Sequence, residues 1–352
     1  MTTIHDVAKR AGVASITVSR VINNSGYASE EVRERVLAAV KEMGYVPNRL
    51  AGSLRSKRSN VLALVLTDIT NPFFTVAARG VEDVASQAGY TVIFCNTDED
   101  NQKEQNYIQV LMQNQVDGVV LVPSSSDSGS VELLQQNGVQ VVVIDRHVAS
   151  RKVDQVRCDS FGGGYELTKL LSSLGHTRIA LLNGPRNVST AVDRFAGFNQ
   201  ALGEAGLEPA DQTVIFGEFT RASGSEMARR VLEVNPRPTA LFAGNNFIAL
   251  GVLRALEDAH LRVPEDMAVV TFDDLPESLM ISPFLTVAAQ PVYEMAAKAT
   301  EMLIERLASA EARDYQDIVF PTHLIVRKSS GGVIVSSRSS ANVAISHPTP
   351  NT

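Results

Sequence analysis

From residue 61 to residue 274 the chain alternates short, unbroken apolar runs with stretches of helix length and amphipathic spacing. The first series is VLALVLTDI (61–69), a helix from about Phe74 to Gly89, TVIFCNT (91–97), a helix ending near Asn114, GVVLVPS (118–124), VELLQQNG and QVVVIDR (140–146). A second series begins after Asp159. It holds a helix from Gly164, RIALLNGP (178–185), a helix from Thr190, TVIFGEF (213–219), a helix from Ser223, TALFAGNN (239–246), a helix to His260 and MAVVTFDD (267–274). Continuous Val/Ile/Leu runs between helices read as parallel strands covered on both faces. Two such series predict two doubly wound halves. Ligands of such sheets bind beyond the carboxyl ends of the strands. That rule selects the residues ending each run: Asp68, Asn96, Asp145-Arg146, Asn183, Phe219, Asn245-Asn246 and Asp273-Asp274.

At 352 residues the chain is long enough for two or three domains. No apolar run reaches the roughly 18 residues of a membrane span. The start, MTTIHDVAKR, has no apolar signal region. The two cysteines, Cys95 and Cys158, sit in strand-like runs without disulfide or metal-ligand spacing. The expectation is a cytoplasmic protein with both thiols in its cores. Charge is unevenly placed. Residues 1–58 carry ten Lys/Arg and five Asp/Glu, a net +5, against −7 for the whole chain, which leaves −12 for the rest. A basic head on an acidic body is expected where only the head meets a polyanion.

The head reads as helices. Ile4–Ala11 places Val7, Ala8 and Ala11 on one face, and Gly12 breaks it. Ser15–Ile22 turns Val18, Val21 and Ile22 inward. Ser29 stands where a third helix is capped, Glu30 and Glu31 favour its positive end, and Val32, Val36, Val40 and Met43 form its stripe before Gly44. Helix, glycine turn, short helix is the helix-turn-helix pattern. Ser15, Ile16, Ser19 and Arg20 then share the outward face of the second helix. Arg can bridge guanine O6 and N7, an aliphatic can meet a thymine methyl, and Thr17 can reach a phosphate. Burial of Ile16 against a neighbouring helix is the competing reading.

Residues 47–58, PNRLAGSLRSKR, make a poor helix by themselves. Leu50 and Leu54 form a short apolar face, but Gly52 costs about 1 kcal/mol relative to Ala. A basic linker and a helix that folds only on a surface are both open on these residues alone. Here DVAKRAGVASITVSRVINN, followed by VRERVLAAVKEMGYVPNRLAGSL, resembles the N-terminus of LacI-family transcriptional regulators, and the likeness runs to about residue 328. The resemblance implies an all-α helix-turn-helix head with a hinge helix, and an α/β body of two doubly wound parallel-sheet lobes, like a type I periplasmic sugar-binding protein. It also implies a homodimer on a palindromic operator, with Leu54 wedged into the minor groove. The DNA-binding set is Thr3, Ser15, Ile16, Thr17, Ser19, Arg20, Asn23, Asn48, Leu54 and Arg55. Gly52 stands where relatives often carry Arg. Between a reader and a sensor, residues 47–58 are expected to be the conditional helix, weakened by Gly52 so that its folding is tied to DNA.

The expected divisions are 1–46 (head), 47–59 (hinge), 60–160 with 288–319 (first lobe), 161–287 with 320–330 (second lobe) and 331–352 (disordered tail). The lobes are joined by crossings near 160, 288 and 320. The body's strand ends also resemble the ribose-binding members of the periplasmic group. That likeness implies an effector site of Asn71, Phe73, Phe74, Asp145, Arg146, Arg194, Phe219, Asn245, Asp273 and Gln290. The residue types suit a neutral sugar: aromatics sandwich the ring, carboxylates accept from hydroxyls, arginines donate, and amides do both. No surplus cationic cluster points to a phosphorylated sugar.

Other signals carry less. Gly162-Gly163-Gly164 lacks dinucleotide-loop spacing and reads as a close lobe crossing. Asp98-Glu99-Asp100 reads as a solvated loop and helix start. Asp273-Asp274 has no neighbouring metal ligand. No cofactor, metal or membrane partner is expected, and no nucleophile–base pair is visible. The alternatives are the same class of regulator with a different effector, a nucleoside, hexose or sugar phosphate, and a sugar- or nucleoside-modifying enzyme, which would have no need of residues 1–58. The reading is a repressor of sugar-utilisation genes, released from DNA by its effector.

Overall fold

The computed structural model describes residues 2–23, 25–45, 58–275, 283–309 and 313–331. The hinge residues 47–57 and the tail beyond 331 lie outside the described residues, and so do the expectations placed on them. The chain divides into a unit ending at Ser59 and a unit beginning at Asn60.

In the first unit, α1 (Ile4–Ala11), α2 (Ser15–Ile22) and α3 (Glu30–Glu42) enclose Val7, Ala8, Ala11, Val18, Val21, Val36 and Ala39. Thr3 and Asp6 form a reciprocal capping box at the start of α1. Gly12 ends α1 at φ +66, with open space where a Cβ would be, so conformation selects the glycine. Ser29 does occupy the N-cap of α3, but its hydroxyl makes no capping bond. Glu30 and Glu31 in the first turn are left to favour the helix's positive end. Arg10 pairs with Glu42, tying α1 to the end of α3.

The second unit holds two six-stranded sheets. The first contains β1 (Val61–Leu66), β2 (Thr91–Asn96), β3 (Gly118–Leu121), β4 (Gln140–Asp145), β5 (Asp154–Cys158) and β11 (Asp317–Phe320), in the order β11-β5-β4-β3-β1-β2. The second contains β6 (Ile179–Asn183), β7 (Thr213–Phe216), β8 (Ala240–Ala243), β9 (Ala268–Phe272), β10 (Thr286–Ala289) and β12 (His323–Ile325), in the order β12-β10-β9-β8-β6-β7. Every neighbouring pair is parallel except β10–β12. The two sheets are wound alike, so β4 and β9 are counterparts. Apolar clusters lie on both faces of each sheet, which is why the strands read as unbroken apolar runs.

Helices α4 (Pro72–Gln87), α5 (Asn101–Gln113) and α6 (Gly129–Gln136) cover the first sheet; α7 (Ser160–Ser173), α8 (Ser189–Glu204), α9 (Arg221–Leu232) and α10 (Asn246–Asp258) cover the second. Helix α11 (Val292–Ala308) returns to the first lobe and adds Met295, Ala296, Ala299 and Leu303 to the core beside α4. Two expected boundaries move slightly: β10 keeps residues 288 and 289 in the second sheet, and β11 keeps 320 in the first.

The glycine triplet corrects the sequence reading. Residues 162–164 lie inside α7, which starts at Ser160, not near Gly164, with the Asp159 side chain accepting from Gly162 N–H. A Cβ on Gly163 would stand 2.5 Å from the Phe272 ring, and one on Gly164 2.6 Å from the Arg194 carbonyl oxygen. These two glycines serve close packing of α7 on β9 and α8, not the passage between lobes.

Candidate functional site

Nine of the ten expected effector residues converge on one cavity of about 200 Å³. Asn71, Phe73, Phe74, Asp145 and Arg146 come from the first lobe, and Arg194, Phe219, Asn245 and Asp273 from the second. Asp145 ends β4 and Asp273 follows β9, its counterpart. Both are buried, and both adopt φ +68, a left-handed backbone that Asp tolerates better than most residues.

Burial pushes the Asp145 carboxyl up to about 6, against the pull of Arg146 and Arg194. Among the described residues no N–H or O–H donates a hydrogen bond to it; Arg146 Nε is 3.9 Å away. Asp273 is also raised by burial, opposed by Arg194 and by a hydrogen bond from Gln290. Arg194 is lowered by burial and donates to the Gly244 carbonyl at 2.7 Å. Its guanidinium lies 3.8 Å from the Phe272 ring centre and 6.0 Å from that of Phe219. The Arg146 guanidinium faces Phe219 at 5.8 Å. Phe73 and Phe74 meet edge to face at 5.0 Å. The Nε atoms of both arginines are buried without a hydrogen-bond partner. Buried donors in this state are rare and mark a site prepared for an acceptor.

Three expected contacts take other roles. The Asn71 side chain accepts from Phe73 N–H, capping α4, and exchanges two hydrogen bonds with Asn246 of the second lobe, at 2.9 and 3.0 Å. Its Oδ1 is therefore committed to the cap and to joining the lobes, while one Nδ2–H is left on the cavity wall. Asn245 lines the cavity, but its carbonyl oxygen caps α10 through Ile248 N–H at 2.8 Å. Gln290 does not line the cavity; it orients Asp273 from behind, with its own Oε1 buried and unpartnered. Asp274 belongs to an ion pair with Arg327, at 2.6 and 2.7 Å.

The cavity also holds residues that the expected set lacked: Asp68, Asp98, Glu99, Thr190 and Thr220. Asp68 was visible as the end of the first apolar run. Glu99 was read as part of a solvated loop. It instead receives two 2.6 Å hydrogen bonds from Arg146. Among the described residues no His/Cys/Asp/Glu group could hold a metal ion.

In the first unit the outward face of α2 carries Ile16, 49 % exposed, and the exposed Arg20. This removes the reading that buries Ile16. Ser15, Thr17 and Ser19 are partly exposed. The Ser15 hydroxyl bonds His5 Nδ1 at 2.9 Å, and Asn23 donates to Ser19 at 3.2 Å, so these hydroxyls are held in place. Thr3 is occupied by its capping box. Asn48, Leu54 and Arg55 lie outside the described residues.

Known proteins share both units. A family profile described as "Bacterial regulatory proteins, lacI family" matches residues 3–48, and one described as "Periplasmic binding proteins and sugar binding domain of LacI family" matches 59–328. The chain is 38% identical to the ribose operon repressor of Halalkalibacterium halodurans over 332 residues, 94% of this chain and 98% of that one. It is equally identical, over the same shares, to the HTH-type transcriptional regulator DegA of Bacillus subtilis. Among solved structures, a lac repressor dimer bound to operator and the anti-inducer ONPF superposes with a TM-score of 0.80 at 26% identity, covering 94% of this chain and 99% of that one. A LacI family regulator from Enterococcus faecium with bound ribose superposes with a TM-score of 0.69 at 30% identity, covering 76% and 98%. With a helix-turn-helix head, two like-wound lobes and a cavity walled by both, matched along nearly its whole length, this chain belongs to the LacI family of bacterial regulatory proteins.

Proposed function

We propose that the chain is a sequence-specific transcriptional repressor of sugar-utilisation genes, controlled by an uncharged, ribose-like monosaccharide bound between its lobes. The observation that carries this reading is the convergence of nine expected residues, from well-separated segments, on one small cavity. A 200 Å³ space suits a single sugar ring. Phe73, Phe74 and Phe219 offer apolar faces to C–H groups. Asp145 and Asp273 accept from hydroxyls, and the unpartnered Nε atoms of Arg146 and Arg194 donate to them. The ribose operon repressor relative and the ribose-bound neighbour support a pentose; the equally similar DegA is why the effector is named by class.

The head supplies DNA recognition. Ser15, Ile16 and Arg20 on α2 read base edges in the major groove, Ser19 shares that face, and Thr17 and Asn23 meet the backbone. The expected contacts of Thr3, Asn48, Leu54 and Arg55 belong to the same reading. Two chains act as a homodimer on operator DNA, a reading supported by the operator-bound lac repressor dimer; the operator is palindromic and the site of action the cytoplasm. Sugar binding stabilises one arrangement of the lobes and thereby weakens operator binding; the effect is limited to the sugar's differential affinity for the two states. The test is operator binding by the full-length protein, on sites selected from random DNA, titrated with pentoses, hexoses, nucleosides and sugar phosphates at fixed salt. Release by an uncharged pentose is expected. Selective DNA binding that responds to none of these ligands would overturn the effector reading.

A further inference from the structure

Arg146 is 3 % exposed and makes three of its hydrogen bonds within the protein: two to Glu99 and one to the Pro123 carbonyl at 3.0 Å. Nη1 and Nη2 each meet one oxygen of the Glu99 carboxylate at 2.6 Å. This is the two-pronged geometry by which arginine otherwise grips a phosphate or a ligand carboxylate. Glu99 is itself part of the cavity wall, and its side chain is 21 % exposed. It therefore stands where an anionic group would approach that prong.

The remaining charges agree. Burial works against the Arg146 cation, but Glu99, by charge and hydrogen bond, leads a set of carboxylates with Asp145 and Glu104 that together more than offset it. Arg146 keeps its Nε–H for the ligand, beside Asp145. Arg194 is the other cavity cation, and it faces both Asp145 and Asp273. With Arg146 neutralised by Glu99, the inner cavity holds two carboxylates against one guanidinium. Asp68 bonds Thr70, and Asp98 pairs with Lys103, so neither needs a ligand cation.

We propose that Glu99 is a specificity-determining residue: by occupying the fork of Arg146 it confines the effector to uncharged polyols and excludes sugars bearing phosphate or carboxylate. The proposal rests on the cleft being the effector site. It goes beyond the ribose-like set, in which Glu99 has no place. Glu99 also positions Arg146, since the paired bonds fix the guanidinium plane against Phe219 and leave only its Nε–H and second Nη2–H edge for a hydroxyl, where Asp145, 3.9 Å from Nε, opposes an anion.

The test compares the full-length native protein with Glu99→Gln and Glu99→Asp, using calorimetry and thermal shift with ribose, ribose 5-phosphate and inorganic phosphate. The native protein should bind ribose and neither phosphate. Glu99→Gln should weaken ribose roughly tenfold or more, as expected for losing a charge-assisted pair. It should also shift the preference toward ribose 5-phosphate and acquire stabilisation by inorganic phosphate. Glu99→Asp keeps the charge but not the span, so it should weaken ribose while still refusing phosphate. Should the glutamine variant fail to fold, the aspartate variant decides, and unchanged ribose affinity there would overturn the proposal. An unaltered preference in Glu99→Gln, or native protein that takes ribose 5-phosphate as readily as ribose, would also overturn it. If the native protein instead prefers another uncharged sugar, only the ribose assignment falls, and that sugar with its phosphate ester replaces the pair in the same comparison.

Discussion

Asp145 concentrates the tension of the site in one residue. It has a left-handed backbone, a buried carboxyl held near 6, and no donor from the described protein. An unfolded aspartate titrates at about 3.9. Between those values the folded chain binds the extra proton, so its stability falls as pH rises from about 4 to about 6 and levels off above. The loss is on the order of 3 kcal/mol at most. Asp145→Asn should flatten that slope in denaturant unfolding and stabilise the effector-free protein at pH 7, while abolishing sugar binding. Hydroxyls that donate to Asp145 favour its ionised form. Effector affinity should therefore rise with pH through about 6 and plateau, with proton release visible in calorimetry in two buffers. A flat profile would show that no ligand hydroxyl meets this carboxyl. The Asn71–Asn246 exchange makes a second residue-scale prediction. Asn246→Ala removes both bonds of this pair, leaving the other inter-lobe contacts such as His147–Ser189, and should weaken effector binding by up to roughly 30-fold, at about 1 kcal/mol per net hydrogen bond. Unchanged affinity would mean that the pair does not contribute to closure.

At the scale of elements, helices pack through glycines rather than around them. A Cβ on Gly197 of α8 would stand 2.1 Å from the Phe161 carbonyl oxygen of α7, backbone that cannot swing aside. Gly197→Ala should destabilise the second lobe by about 1–3 kcal/mol, the usual range for overpacking, despite alanine's better helix propensity. Urea unfolding of the full chain measures this, and a neutral or stabilising result would contradict the close approach. The same kind of contact explains why Gly162-Gly163-Gly164 was misread as a close lobe crossing. Glycine marks either freedom or proximity, and only the partner distinguishes them. Strands β5 and β11 were hidden for a related reason. Asp154, Arg157 and Asp317 break the apolar pattern, yet Asp154 is bound by Arg306, and Arg157 pairs with Asp317 across the strands. Polar residues can occupy a sheet when tertiary partners satisfy them.

For the whole molecule, the reader and the sensor lie in one chain and must be linked thermodynamically if the effector regulates DNA binding. Operator DNA should then lower effector affinity by the same factor by which effector lowers operator affinity, about 5–150-fold for ordinary coupling. Titrating sugar into the protein with and without saturating operator measures this. Equal affinities would show that the cleft and the operator are uncoupled. Gly52→Ala, in the segment between the units, should raise operator affinity and blunt release by sugar if that segment folds on DNA. No change in either quantity would remove the glycine from the mechanism. The −12 body and +5 head further predict that operator affinity falls steeply with salt, while uncharged-effector affinity hardly moves.

The amino-acid sequence by itself determined the two-series α/β architecture, because strands covered on both faces leave a periodicity that survives without coordinates. It determined the helix-turn-helix as well, through glycine, caps and a short inward stripe. The strand-end rule for doubly wound sheets picked out six cavity residues, Asp68, Asp145, Arg146, Phe219, Asn245 and Asp273, while Asn71, Phe73, Phe74 and Arg194 came from the resemblance to ribose-binding proteins. Only the tertiary structure decided what those residues do there. Asn71, on the cavity wall, exchanges bonds with Asn246, Gln290 bonds Asp273 without lining the cavity, and Glu99 leaves its acidic run to hold Arg146. The physical reason is the range of the forces. Hydrophobic periodicity is written locally along the chain, whereas a hydrogen bond or ion pair depends on a partner that folding brings from 47 residues away for Glu99 and 175 for Asn71.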